Sequence, residues 1–246
     1  IARKFDRPVD LQNLFTEEEC QRMVQGMWQL KAHWKHWENT AAFLPFFTLG
    51  AASYLEHANY HRSAAEINPL MQETFGWIYP RLLGALEEAI GQKTRYHTDS
   101  PSATPAFPGF HIFLSNAIWQ LPVARVHYDE QYTNVKTLPA DTDFTNPLSF
   151  TVSVQLPRAG GSGLLIYAEK FDPDELPEGL NVTSFSTRRG SFEKALHPYA
   201  VGSGVIHSGH MVHQIANTSF AAGDARVTIQ GHGAYSPSAG AWLIYW

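Results

Sequence analysis

The sequence predicts an α+β fold in which N-terminal helices buttress a jelly roll. Three observations carry this. Residues 1–92 hold helix signals, whereas 93–246 break into short apolar runs separated by Pro, Gly, Asn and Ser. The runs follow one another with no helix signal between them, which suits a jelly roll better than alternating βα units. Two of the runs keep one face polar throughout. We read 1–246 as a single domain: 1–92 is the mainly helical buttress and 93–246 the β-barrel core.

The first helix starts after Thr16. Thr16-Glu17-Glu18-Glu19 is a capping box, with a hydroxyl at the cap and a carboxylate three residues on. Met23, Met27 and Leu30 then recur at helical spacing. A second helix is expected from Asn68-Pro69, a capping residue followed by Pro at the first helical position. It carries Leu70, Trp77, Leu82, Leu83, Leu86 and Ile90, is kinked or split by Pro80, and stops at Gly91. Segment 31–65, rich in His and Trp, takes no assignment. Strands are expected near 94–97, 109–114, 123–129, 148–156, 163–168, 182–187, 203–207, 211–216, 225–233 and 241–246. Gly160-Gly161-Ser162-Gly163 reads as a hairpin turn, because no helix or Gly-Lys-Ser/Thr follows to make a phosphate loop.

The alternation points inward. In 149–156, Ser149, Thr151, Ser153 and Gln155 alternate with Phe150, Val152, Val154 and Leu156. In 226–233, Arg226, Thr228, Gln230 and His232 alternate with a set that begins Val227 and Ile229. Side chains change face at every strand residue. If helices cover the apolar faces, the polar faces line a barrel interior, and a polar interior is a cavity. A sandwich with one wet sheet is the alternative.

Composition bounds the function. With 44% hydrophobic and 17% charged residues, the chain is globular and not disordered. Eighteen Lys+Arg against 23 Asp+Glu give −5, which disfavours nucleic acid as the main partner. No apolar run is long enough for a membrane span, and Ile1-Ala2-Arg3-Lys4-Phe5-Asp6 is not a signal peptide. The single cysteine, Cys20, excludes an internal disulfide framework and fits a reducing, cytoplasmic compartment. The substrate expected is a small, partly apolar molecule. Histidine is the oddity, at 12 residues, and imidazole is the commonest metal ligand.

His127-Tyr128-Asp129 is the first metal candidate. On a strand, residues two apart share a face, so an imidazole and a carboxylate can meet one ion. A later His would complete a two-His-one-carboxylate set, which suits non-haem Fe(II) and leaves open coordination positions. His97-Thr98-Asp99 and His36-Trp37-Glu38 share the spacing. The first runs into a Pro- and Ser-rich loop and the second lies in the helical part, so His127 and Asp129 are favoured. For the third ligand His207, His210 and His213 compete, and His213 is favoured because it sits within a strand. Arg226 and Thr228 share a face, and a guanidinium beside a hydroxyl makes a carboxylate receptor. Glu56-His57-Ala58-Asn59-Tyr60-His61 has two His at helical spacing but no metalloprotease base, and is read as structural.

The order His127-x-Asp129, His213, Arg226-x-Thr228 resembles that of the Fe(II)- and 2-oxoglutarate-dependent oxygenases, over roughly 110–233. The resemblance implies a double-stranded β-helix, a jelly-roll variant. It implies that His127, Asp129 and His213 bind iron and that Arg226 and Thr228 hold the distal carboxylate of 2-oxoglutarate. Fe(II) and 2-oxoglutarate are then the cofactors and O2 the co-substrate. The family chemistry decarboxylates 2-oxoglutarate to succinate and hydroxylates an aliphatic carbon through a ferryl-oxo species. Desaturation, epoxidation and cyclisation are other outcomes.

The block from Leu148 through Leu156-Pro157-Arg158-Ala159-Gly160-Gly161 to Tyr167 is similar to one in the welwitindolinone-type alkyl halogenases. Those replace the carboxylate ligand with Gly. This chain keeps Asp129, which implies oxygenation and not halogenation. His111, Arg125 and Gln155 are further candidates to touch substrate or the C1 carboxylate. Two rivals stand beside this reading: a cupin-type metal-binding jelly roll that does not use 2-oxoglutarate, such as an isomerase or another dioxygenase, and a non-enzymatic ligand-binding jelly roll.

Overall fold

The computed structural model describes residues 5, 7–36, 44–97, 104–124, 126–170 and 193–246. The expected strand at 182–187 and the candidate Arg125 lie outside them. Helix α1 spans Glu17–Gln29 and is capped as its sequence predicts. Thr16 Oγ1 accepts from the Glu19 N–H at 3.2 Å, and the Glu19 carboxylate accepts from the Thr16 N–H at 2.8 Å. A one-turn helix α2 covers Ser53–Glu56. His57 follows at φ 46°, so His57 and His61 do not lie on one continuous α-helix.

Helix α3 spans Tyr60–Phe75, with Pro69 inside it and not at its start. Asn68 is no cap. Its amide donates to the Pro105 carbonyl at 3.0 Å and accepts from the Phe107 N–H at 3.1 Å, so a tertiary contact claims the side chain that looks like a capping residue. Helix α4 spans Tyr79–Ile90, with Pro80 in its first turn. The split at Pro80 is as predicted. The helix ends at Gly91, whose φ of 71° is a left-handed conformation that glycine adopts without strain.

The strands are β1 (Val9–Leu11), β2 (Lys35–His36), β3 (Phe46–Leu49), β4 (Thr94–Tyr96), β5 (Gly109–Leu114), β6 (Asp143–Gln155), β7 (Gly163–Lys170), β8 (Lys194–Pro198), β9 (Gly204–Ser208), β10 (Met211–Ile215), β11 (Ala225–Ser236) and β12 (Ala241–Tyr245). Among the described residues they form a large sheet in the order β1-β9-β6-β11-β5-β3-β2, with β12 joining β11 to β4, and a small sheet β10-β7-β8. All pairs are antiparallel except β12 with β4. Three of these strands, β1, β2 and β3, come from the part expected to be mainly helical.

Two sequence expectations fail here. The 160–163 turn does not make a hairpin: β6 pairs with β9 and β11, whereas β7 pairs with β8 and β10. The chain crosses from one sheet to the other at this point. The described residues of 123–129 form no strand either. His127 makes an isolated bridge to His213, and Leu121, which begins the apolar run behind that expectation, is 59% exposed.

The large sheet buries both faces. On one, Met23 and Met27 of α1, Phe75 of α3 and Leu82 and Leu86 of α4 join Phe110, Phe150, Val227 and Ile229 in one core. On the other face lie Ser149, Thr151 and Ser153 of β6 with Arg226, Thr228 and His232 of β11, all buried. They are cross-strand neighbours: Ser149 opposes His232, Thr151 opposes Gln230 and Ser153 opposes Thr228. The wet-sheet alternative does not hold, because this polar face is enclosed. Among the described residues no helix is long and apolar enough to cross a membrane.

Candidate metal centre

The structure brings His127, Asp129 and His213 together, with candidate ligand atoms all within 4.8 Å of one another. Backbone pairing does this. His127 and His213 exchange both hydrogen bonds, N–H to O, at 2.9 and 2.8 Å, and their rings lie 4.3 Å apart. The Asp129 N–H then donates to the Gly209 carbonyl at 2.7 Å, tying the next turn to the loop that precedes His213. Asp129 Oδ1 lies 3.8 Å from His127 Nε2, and Oδ2 lies 3.7 Å from His213 Nε2.

The protonation states suit a cation. His213 donates Nδ1–H to the Met211 carbonyl at 2.8 Å, which leaves its Nε2 lone pair facing the centre. Burial and His127 push its pKa down to about 3, so the ring is neutral at physiological pH. Burial raises the Asp129 carboxyl, but His213, His232, His127 and His207 outweigh this and hold it well below the ordinary carboxylate range. Asp129 is an anion. A carboxylate and two imidazoles clustered in this way form a donor set for a divalent first-row metal.

The rival motifs do other things. His97 Nε2 donates to the Thr137 carbonyl at 2.7 Å, and Asp99 lies outside the described residues. His36 Nε2 bonds the Leu44 carbonyl at 2.8 Å. His210 faces the Tyr132 hydroxyl at 3.4 Å. His207 lies against the His213 ring at 4.7 Å, with its Nδ1 on the Ser208 carbonyl at 2.8 Å.

Arg226 is 1% exposed, and its Nε and Nη2 have no hydrogen-bond partner. The guanidinium stands 4.8 Å from the Phe113 ring and 5.2 Å from that of Tyr199, and it bonds the Tyr199 hydroxyl. Burial lowers its pKa, against the pull of Tyr199. A small apolar cleft lined by Phe113, Trp119, Val123, Ile215 and Phe220 reaches it. Thr228 Oγ1 accepts from Gln230 Nε2 at 3.2 Å, so its own proton is available to another acceptor. A buried cation beside a free hydroxyl donor is a receptor for a carboxylate.

His111 opposes Thr228 across β5 and β11. Its Nε2 meets the Tyr54 hydroxyl at 2.5 Å, and its Nδ1 is buried without a partner. Phe46 and Trp246 flank the ring. Burial, then Arg226 and His232, push its pKa down to about 3. The unfolded chain therefore takes up a proton at His111 below pH 6.5 that the folded chain refuses until about pH 3. Stability from this group is complete above pH 6.5 and falls as the pH drops, on the order of 1 kcal/mol per unit. We expect urea unfolding midpoints to fall from pH 7 to pH 5, and less steeply in His111→Phe. Equal slopes in the two proteins would refute this. A register shift between Val227 and Thr228 sets Gln155 opposite Val227, a residue of the apolar core face, so the expected place of Gln155 in the polar row does not hold.

Sequence reasoning placed Ser149 and His232 on the polar face but gave them no role, and it missed Gln131 and Tyr199. Gln131 Nε2 donates to Asp129 Oδ1 at 2.8 Å. Ser149 Oγ bonds Asp129 Oδ2 at 2.6 Å and His232 Nδ1 at 3.0 Å. The period-2 pattern was a signal for the first two. Gln131 and Tyr199 lie outside that pattern.

A jelly roll with a His–Asp–His group on its inner face is what the geometry defines. No protein-family model and no curated protein matches the chain. Solved structures do. A non-haem α-ketoglutarate-dependent carbocyclase from nogalamycin biosynthesis, SnoK, is 14% identical with a TM-score of 0.55, covering 94% of this chain and 82% of its own. AviO1 from Streptomyces viridochromogenes is 11% identical with a TM-score of 0.54, covering 96% and 92%. An N-substituted L-amino acid dioxygenase from Burkholderia ambifaria is 14% identical with a TM-score of 0.51, covering 76% and 69%. At such identities the likeness shows the fold, a jelly roll.

Proposed function

We propose that the chain is a non-haem Fe(II)/2-oxoglutarate-dependent oxygenase that hydroxylates an aliphatic carbon of a small molecule. The observation that carries this is a pairing on one inner face: the cluster of His127, Asp129 and His213, and the buried Arg226 with unfilled donors. His127, Asp129 and His213 would hold the iron. Arg226 and Thr228 would hold the distal carboxylate of 2-oxoglutarate, with Tyr199 steadying the guanidinium. Iron with 2-oxoglutarate and O2 supplies an oxidant able to attack an unactivated C–H bond.

The protein's own part is positioning and exclusion of water. A metal held by these three ligands would leave room for a bidentate keto acid and one more molecule. Asp129 fills the ligand position that the halogenases leave to chloride, which supports oxygenation. The enclosed aromatic and hydroxyl-bearing walls around His111 suit a small, partly apolar substrate. His111 is the substrate-side contact proposed on this face, and Gln155 and Arg125 are further candidates by sequence alone. Neither nucleic acid nor membrane is a proposed partner, and the single buried thiol supports a reducing, cytoplasmic setting. The neighbour SnoK is named as a carbocyclase, so ring formation is the closest other outcome of the same centre.

The test is an anaerobic titration with Fe(II) and then 2-oxoglutarate, followed by visible absorption. We expect a weak, saturable charge-transfer band that is lost in Asp129→Ala. Metal binding without a band would favour the cupin-type rival. No metal binding would leave a ligand-binding jelly roll.

A further inference from the structure

Asp129 differs from the two histidines in how it is held. It lies in a loop, so no strand sets its side-chain direction. Its carboxylate is restrained instead by side chains on both oxygens: Gln131 Nε2 on Oδ1 at 2.8 Å and Ser149 Oγ on Oδ2 at 2.6 Å. The proton directions follow from chemistry. An ionised carboxylate only accepts, so the Ser149 proton goes to Asp129. A serine has one proton, so the 3.0 Å contact between Ser149 and His232 Nδ1 must be donated by His232. The result is a one-way chain: His232 N–H to Ser149, and Ser149 O–H to Asp129.

The sheet builds this chain. Ser149 on β6 lies directly opposite His232 on β11 and His207 on β9, a small residue between two large ones. The gap above Ser149 is the seat of the Asp129 carboxylate. Asp129, Ser149 and His232 are 6%, 3% and 6% exposed, so water does not compete for these bonds. His232 Nδ1 itself stands 3.9 Å from Oδ2, too far to replace the serine.

We infer that Ser149 and His232 are positioning residues for the metal ligand Asp129: together they fix the rotamer of its carboxylate so that a free lone pair faces the point shared with His127 and His213. This rests on the metal-binding reading above. Partners of this kind around a ligating group typically change metal affinity by about 10- to 100-fold when removed.

Co(II) is the probe, titrated into the full-length apo-protein and followed by its visible d–d absorption. We expect Ser149→Ala and His232→Phe to weaken Co(II) binding about 10- to 100-fold and to alter the band envelope. His232→Asn places an amide nitrogen where Nδ1 stands, and should restore wild-type affinity and spectrum. A purely structural role would lower the apo unfolding midpoint in all three variants and leave Co(II) affinity and spectrum unchanged; that result overturns the inference. If Ser149→Ala does not fold, the contrast between His232→Phe and His232→Asn decides alone. Asp129→Ala separates the two levels. If it binds Co(II) as tightly as the wild type, the metal reading fails and the inference with it. If it loses Co(II) while Ser149→Ala and His232→Phe retain it, the metal reading stands and only the inference falls.

Discussion

Replacing Arg226 with Met should move two measurements in opposite directions. Affinity for 2-oxoglutarate should fall at least about 30-fold, since losing one partner of a buried, hydrogen-bonded charge pair costs about 2 kcal/mol or more. The ligand-free protein should become more stable, on the order of 1 to 3 kcal/mol, because a desolvated cation is exchanged for an apolar chain of similar reach. The structural basis is the pair of unpartnered donors, Nε and Nη2, on a side chain only 1% exposed. Tyr199 loses one bond but keeps another, to Thr151, so the substitution strands no hydroxyl. The absorption titration gives the first quantity and urea unfolding without 2-oxoglutarate the second. Unchanged affinity would place the carboxylate anchor elsewhere and lend weight to the cupin-type rival. A destabilised apo-protein would mean that the aromatic contacts of the guanidinium outweigh its desolvation.

Gly109→Ala should be among the most damaging single changes in the fold. A Cβ there would stand 2.1 Å from Trp246 Cζ3 and 2.6 Å from the Leu49 carbonyl oxygen. One obstacle is a fully buried indole and the other is backbone of the neighbouring strand β3, so neither yields cheaply. Overpacking of this severity costs about 3 kcal/mol, a melting point lower by about 6 to 12 °C for a chain of this size. Trp246 also packs against His111, with ring centroids 5.6 Å apart, so the damage should reach the inner face. Adding Trp246→Leu should recover part of the loss, and a thermal double-mutant cycle measures how much. An unchanged melting point in Gly109→Ala would mean that the indole and β3 give way without cost.

Legibility in the sequence followed the range of the signal. Strand β5 falls at 109–114 as predicted, and Gly91 ends its helix, because each depends on neighbours a few residues away. The alternation in 149–153 and 226–232 survived in a sheet buried on both faces, since a strand must still separate an apolar side from a polar one; it breaks at Gln155, where the register against β11 shifts. Strands β1 and β2 were too short to show any period. Pro69 looked like a helix start until Asn68 turned out to serve residues 105 and 107. His127 and Asp129 were picked for a strand geometry they do not have; the bridge between His127 and His213 supplies the same proximity by another route. Ser149 beneath Asp129 depends on the register of β6 against β9 and β11, and register between distant segments is not written in either segment alone.

The way β1 is paired has a consequence for how the chain reaches this state. Val9 lies opposite Ile206, and β3 waits for β5, which in turn pairs with β11. During vectorial synthesis the early strands leave the ribosome long before their partners exist. The helices can form locally, but their apolar faces have no sheet to cover until β11 has emerged. Loop closure over such separations is slow, and exposed apolar surface persists meanwhile. The large sheet cannot close before β11 is made, and yield in expression should therefore respond more to chaperone supply and temperature than to the equilibrium stability of the finished barrel.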